Sequence, residues 1–386
     1  MLSWEYPPGT AGGIAAHVDG LAHAMAAAGE DIVLVTRTHP LADNDGEHDF
    51  DTEPEPGCES IGVRVLRAEV DMPWLAEGSD IARTASANHA FVVRTHALGP
   101  WRPDVVHAHD WRVAWAAEVL ATRFGVPLVT TLHGTERGRH GGHLPPGEAT
   151  DINSIEWWLA FRSARVITST KLMVREIVGG FELDPARVHR IPNGIDPAWW
   201  RSDDPGTVDT GAPALILTWG RVQFEKGFQV LARAISTLRA RRVGLECIIA
   251  GRGSYLPELQ SQLDIEGVSD VVTLPGFLSD HELRAAIHRA ACVVIPSLYE
   301  PFGVVALEAL AGGAPLIVAD TGGLAELVGG TGSALLFEPG NAEQLADRIE
   351  QLLGDPELAT RMRAAGVELL EATYTWDAIA ARTRDV

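Results

Sequence analysis

Two glutamates stand eight residues apart in Glu300-Pro301-Phe302-Gly303-Val304-Val305-Ala306-Leu307-Glu308, where an apolar run gives way to a helical pattern. A helix starting near Gly303 turns its free N–H groups toward an anion, and a glycine there lets a ligand approach the backbone closely. Phe302, Gly303 and Val304 thus form a candidate backbone cradle, Glu300 suits sugar hydroxyls and Glu308 suits those of a ribose. Glycoside hydrolysis by a carboxylate pair is the competing chemistry. At about 1.5 Å per helical residue, eight residues span roughly 12 Å, beyond the roughly 5 to 9.5 Å that separates hydrolytic carboxylates. A glutamate that merely satisfies a helix dipole accounts for Glu300 alone.

A second group is Gly220-Arg221-Val222-Gln223-Phe224-Glu225-Lys226-Gly227, directly after an apolar run. Its two cations at a strand end can hold a diphosphate, Arg221 as a fork and Lys226 as a point charge. A surface pair between Lys226 and Glu225 is the structural alternative. Gly12-Gly13 precedes a helical pattern over residues 14–28, where backbone N–H groups can also meet a phosphate. His133 follows Val129-Thr130-Thr131-Leu132 and is read as a site residue at a strand end. His140 and His143 lie in the Gly-rich stretch 138–147, lack the helical spacing of a zinc site, and suit an acceptor loop. Trp157 and Trp158 are read as core.

These groups need a scaffold of strands whose ends carry them. Short apolar, β-branched runs alternate with Ala-rich stretches of helical period, which predicts an α/β chain with parallel sheets. Strands are expected over residues 31–36, 63–66, 104–108, 127–131 and 165–168. A second series is expected over 214–219, 245–250, 271–274, 292–296, 315–319 and 334–337. The acidic stretch 41–60 reads as a solvated loop, and the polar stretch 202–212, with Pro205, Gly206 and Gly211, as a connector. Two Rossmann-like, doubly wound halves facing across a cleft follow, with a ligand expected at the carboxyl ends of the strands.

Size and charge narrow the function classes. A chain of 386 residues with 46% hydrophobic and 22% charged residues can bury two ordinary cores. Its net charge of −21, from 52 acids against 31 Lys and Arg, argues against nonspecific binding of nucleic acid or anionic lipid. No apolar run approaches the roughly 20 residues of a membrane helix, and the start lacks a signal segment, so a cytoplasmic protein is expected. Cys58, Cys247 and Cys292 have no metal-like spacing. Gly251-Arg252-Gly253 is not a dinucleotide fingerprint, because Leu256 stands where its third glycine belongs.

Taken together, the motifs resemble those of the retaining glycosyltransferases of family GT4, with the GT-B fold, and in pattern the bacterial enzymes that build α-glucans. The residues that carry the resemblance are Trp4-Glu5-Tyr6-Pro7-Pro8 with Gly12-Gly13, His107-Ala108-His109-Asp110-Trp111, Thr131-Leu132-His133, Asn193-Gly194-Ile195-Asp196, Gly220-Arg221 through Lys226-Gly227, and Glu300 through Glu308. It implies that Arg221 and Lys226 bind the diphosphate of a nucleotide-sugar donor, UDP-glucose or ADP-glucose. It further implies that Glu300 and the backbone after it hold the donor sugar, that Glu308 binds ribose, and that His133 lies beside the transferred sugar. Asp110 and Asn193 are implied as acceptor- or sugar-binding positions. No cofactor and no metal are expected. The implied organisation is an acceptor domain over 1–196, a donor domain over 197–370 and a returning helix within 371–386.

Classical bacterial glycogen synthases carry a lysine before the Gly-Gly turn, where this chain has Thr10-Ala11, a departure that leans toward GT4. The expected reaction is hexosyl transfer, of glucose to an α-(1→4)-glucan, without a protein nucleophile. Other acceptors stay open: a small polyol, a secondary metabolite or a lipid-linked sugar. So does a sugar-nucleotide epimerase on the same scaffold. A homo-oligomer is compatible with the sequence.

Overall fold

The computed structural model describes residues 1–7, 13–38, 62–70, 79–201 and 213–386. Gly12, Cys58, the acidic stretch 41–60 and the connector, 202–212, lie outside the described residues. Among the described residues, thirteen strands build two all-parallel sheets. In the first, β1 (Leu2–Ser3), β2 (Ile32–Arg37), β3 (Val63–Ala68), β4 (Val106–His109), β5 (Leu128–Leu132), β6 (Arg165–Thr168) and β7 (Val188–Arg190) lie in the order β3-β2-β1-β4-β5-β6-β7. In the second, β8 (Ala214–Trp219), β9 (Leu245–Ala250), β10 (Val272–Thr273), β11 (Cys292–Ile295), β12 (Leu316–Ala319) and β13 (Ala334–Phe337) lie in the order β10-β9-β8-β11-β12-β13.

Strands covered by helices on both faces are buried throughout, which explains why they read as continuous apolar runs. In the second sheet the period-2 alternation still sorts them. Ile216, Cys247, Ile249, Val294 and Ile317 enter one core, while Leu217, Val293, Ile295, Leu316 and Val318 enter the other. Cys247 and Cys292 are buried free thiols.

The chain divides into two compact units. One comprises Met1–Ser169, Met173–Ile191 and Trp376–Val386; the other comprises Thr170–Leu172 and Pro192–Thr375. The last helix, Trp376–Arg384, packs on the first, Gly13–Ala27, within the first unit. Gly20 makes that packing physically available, since a Cβ there would sit 2.2 Å from Trp376 Cε2.

Two strands escape the apolar pattern. β1 has only two residues yet pairs with both β2 and β4 at the sheet's centre, and the Met1 ammonium donates 2.7 Å to the Val33 carbonyl. β7, Val188-His189-Arg190, is polar and lies at the edge. Trp157 corrects the core reading: it is 43% exposed and stacks on Phe161 at 5.4 Å. The helix Glu148–Arg162 buries Ile152, Glu156, Leu159 and Ala160, so residue 157 faces away from the core. Trp158 does pack against the core.

Candidate functional site

In each sheet the order reverses once, between β1 and β4 and between β8 and β11, and a doubly wound sheet opens a crevice at the carboxyl ends of such neighbours. The segments after β8 and β11 carry Arg221, Lys226 and Glu300, and the topology thereby brings together groups about 75 positions apart in sequence. Lys226 Nζ donates to Glu300 Oε2 at 2.8 Å, and Ser297 Oγ donates to the same oxygen at 3.2 Å. The partner of Lys226 is therefore Glu300, and Glu225 instead serves through its carbonyl oxygen, which accepts from the Leu298 N–H at 2.8 Å. Gly227 permits this approach: its φ is 72° and a Cβ would lie 1.9 Å from the Pro296 oxygen.

Glu300 is itself held by its backbone, whose carbonyl accepts from the Gly323 N–H at 2.8 Å. Gly303, at φ 104°, is the N-cap of the helix Val304–Ala311. That cap makes no side-chain hydrogen bond, so no N-cap side chain takes up the first N–H groups of the helix. Phe302 is buried, with its ring in the core against Tyr374, and has only backbone to offer a ligand. Glu308 Oε2 accepts from Trp219 Nε1 at 2.9 Å, and burial pushes its carboxyl up to about 7. Arg221 is exposed and makes no ion pair among the described residues.

In the first unit, β4 ends in His109-Asp110 and β5 leads into His133. Asp110, at φ 61°, is buried, and its Oδ1 accepts from the His133 N–H at 2.7 Å. Burial raises its carboxyl to about 6 despite that bond. This residue thus fixes the turn that carries His133. Burial also holds the His133 imidazole down at about 4 and that of His107 at about 3, so both are neutral at pH 7. His107 bonds Thr131 Oγ1 at 2.7 Å, and His109 Nδ1 bonds His133 Nε2 at 3.2 Å.

Gly13 begins the helix Gly13–Ala27 and is exposed. Asn193 is buried in the second unit, whereas Asp110 belongs to the first. The stretch from 138 begins inside a short helix, Glu136–Arg139. Glu136 anchors it by donating its N–H to both carboxylate oxygens of Glu156, at 3.1 and 3.0 Å, and by accepting from Arg139 and bonding His140. Burial lifts the Glu156 carboxyl to about 8.

Sequence reasoning gives no part to His17 or Glu156, and names His109 only within the motif that carries the resemblance. The i, i+2 spacing of His107 and His109 puts both on one face of β4, which was a legible signal. His17 and Glu156 join their networks only through tertiary packing. At the ends of β1 and β2, a recess of about 340 Å³ is lined by residues that include Trp4, Glu5, Arg37, Asp80, Arg83 and Arg112. The Arg37 and Arg112 guanidiniums lie 4.8 and 5.3 Å from the Trp4 ring centre, and Arg112 grips Asp80 through both terminal nitrogens.

Known proteins share this arrangement of sequence. The family profile described as "Glycosyltransferase Family 4" matches residues 11–199, and that described as "Glycosyl transferases group 1" matches residues 206–368. A glycogen synthase of Mycobacterium tuberculosis is 38% identical over 395 residues, covering 100% of this chain and 93% of that protein. A D-inositol 3-phosphate glycosyltransferase of Arthrobacter sp. is 30% identical, covering 97% and 89%. Among solved structures, sucrose-phosphate synthase from Thermosynechococcus elongatus superposes with a TM-score of 0.80 at 23% identity, covering 100% and 96%. That likeness concerns the fold. Among the described residues, no helix is long and apolar enough to cross a membrane.

Proposed function

This chain belongs to the family 4 glycosyltransferases, and from that premise we propose that it transfers glucose from UDP-glucose or ADP-glucose to a growing α-(1→4)-glucan, with retention and without a catalytic metal, in the cytoplasm. The observation that carries the reading is the 38% identity to a glycogen synthase across the whole chain. The geometry of the second unit supports the donor side: Lys226, Glu300 and an open helix N-terminus gather where β8 and β11 diverge.

In this reading Arg221 and Lys226 receive the donor diphosphate, and the backbone of Phe302, Gly303 and Val304 with Glu300 receives the sugar. Glu308 accepts hydrogen bonds from the ribose. As the bond from the anomeric carbon to the diphosphate breaks, negative charge grows on the leaving oxygens. Arg221 and Lys226 meet that charge more strongly than they meet the ground state, which is what accelerates a reaction. The acceptor hydroxyl attacks the face the diphosphate leaves, and its proton passes to a phosphate oxygen. His133 offers a neutral imidazole to a sugar hydroxyl, as a hydrogen-bonding group and not as a charge. Asp110 keeps that residue's backbone in place. The recess beside Trp4 gives the first unit an aromatic and polar wall of the kind that takes carbohydrate.

The test is release of nucleoside diphosphate from a panel of UDP-, ADP- and GDP-sugars in EDTA, with and without a maltooligosaccharide. Acceptor-dependent release from a glucose donor supports the proposal. Release that needs another sugar, or a polyol phosphate in place of the glucan, overturns the donor or the acceptor assignment; the 30% identity to an inositol-phosphate enzyme makes that second acceptor the alternative to include.

A further inference from the structure

Three imidazoles from three separate elements converge inside the first unit. His17 comes from the helix Gly13–Ala27, His109 from the last position of β4, and His133 from the turn after β5. One ligand nitrogen from each lies within 4.8 Å of the other two. Ring centres are separated by 4.7 Å for His17 and His133, 5.7 Å for His17 and His109, and 5.5 Å for His109 and His133.

Three features of the cluster match a metal-binding triad. With zinc–nitrogen bonds of about 2.0 to 2.1 Å, two ligand nitrogens of a tetrahedral site stand about 3.4 Å apart. The His109 Nδ1 to His133 Nε2 separation, 3.2 Å, is close to that length, and the other separations, at most 4.8 Å, reach it with up to about 1.4 Å of side-chain movement. His17 and His109 are buried and His133 is half-buried, so little water competes for their nitrogens. Their surroundings also restrain them. The His107 ring lies 4.4 Å from that of His109, tilted by 32°, Asp110 pins the His133 backbone, and the Trp376 ring lies edge-on to His17 at 5.6 Å.

We propose that His17, His109 and His133 form a binding site for one late first-row divalent cation, of which zinc is the representative, and that its occupancy inhibits the enzyme. The donor set is three imidazole nitrogens with no thiolate and no carboxylate among the three, which selects Zn²⁺, Co²⁺, Ni²⁺ or Cu²⁺ over Mg²⁺ and Ca²⁺. A fourth position is left for water or for a hydroxyl of a bound molecule. Inhibition follows because an imidazole that gives its lone pair to a metal can no longer turn to a sugar hydroxyl. That half of the proposal rests on the role given above to His133; the binding half does not.

The experiment uses the full chain freed of metal and titrated with Co²⁺ alone, with visible absorption as the readout and Zn²⁺ as the displacing ion. One equivalent of Co²⁺ giving the intense visible bands of tetrahedral cobalt, abolished by Zn²⁺, is expected. His17→Gln and His109→Gln should each weaken binding by roughly 100-fold or more, whereas His140→Ala/His143→Ala, which removes exposed surface imidazoles, should leave it unchanged. Circular dichroism of each variant establishes that it is folded, and two independent ligand variants guard against the loss of one. Absence of the bands, or bands that persist in folded His17→Gln and His109→Gln, overturns the site. If cobalt binds as expected but saturating Zn²⁺ leaves diphosphate release unaltered, the inhibitory half is overturned while the site stands.

Discussion

Replacing Lys226 by glutamine separates two roles that one side chain performs. Lys226 and Glu300 are 19% and 10% exposed at their side chains, and their 2.8 Å contact is supplemented by Ser297. Removing one partner of a buried pair costs up to about 3 to 5 kcal/mol, because the other charge is left in a poor solvent. Here Ser297 still donates to the Glu300 carboxylate and some water reaches the pair, so about 2 kcal/mol is expected. For a unit of this size that is a fall in Tm of about 4 to 8 °C. The effect on turnover has a different origin: loss of a donor to developing charge lowers kcat by about 100- to 1,000-fold. The double variant Lys226→Gln/Glu300→Gln removes both charges and restores most of the thermal stability, yet it stays at least as inactive as the single variant. Differential scanning calorimetry and diphosphate release measure the two effects on the same samples. A single variant with the stability of the parent, or with kcat reduced less than tenfold, refutes the reasoning. So does a double variant that regains activity with stability.

Other perturbations have equally definite outcomes. Gly20→Ala sets a methyl against the Trp376 indole, 2.2 Å away if nothing moves; overpacking of about 1 to 3 kcal/mol should loosen the last helix and expose it to limited proteolysis. The buried histidines should make the first unit acid-sensitive. Their folded pKa values lie below the usual 6.5, at about 4 for His133, so the stabilisation is complete above 6.5 and is lost as pH falls toward 4. For His133 the difference of 2.5 units corresponds to about 3 kcal/mol, and His133→Gln should flatten the denaturant midpoint against pH over that window. Glu308→Gln should weaken donor binding about tenfold with little change in kcat, read by calorimetric titration. The parent's donor affinity should rise as pH rises through about 7, where the Glu308 carboxyl ionises, and the variant's should not.

Where a strand is an apolar run, the sequence displays it: β6, β8, β9 and β13 occupy the very residues that the runs suggest. β1 and β7 were hidden for opposite reasons. β1 is two residues long, and its position is set by pairing with β2 and β4; β7 is an edge strand whose middle and end are His189 and Arg190. At the site, the strand-end positions of Lys226, Glu300 and His133 were legible because turn chemistry interrupts apolar runs there. Their partners were not. Local spacing favours Glu225 for Lys226, but the switch point between β8 and β11 delivers Glu300. Trp157 misleads because a large aromatic usually goes inside, whereas here the inward face of its helix is taken by Glu156, which holds the helix Glu136–Arg139. A carboxylate buried for that purpose has no signature in sequence.

The most direct test of the central claim follows the sugar itself. Maltooligosaccharide is incubated with isotopically labelled UDP-glucose or ADP-glucose in EDTA, and the product is examined by mass spectrometry and by proton NMR of the new anomeric centre. The account predicts label in chains lengthened by whole hexose units, joined by an α-(1→4) linkage. Label in a β-linked product, or incorporation into a polyol phosphate and never into the glucan, contradicts it.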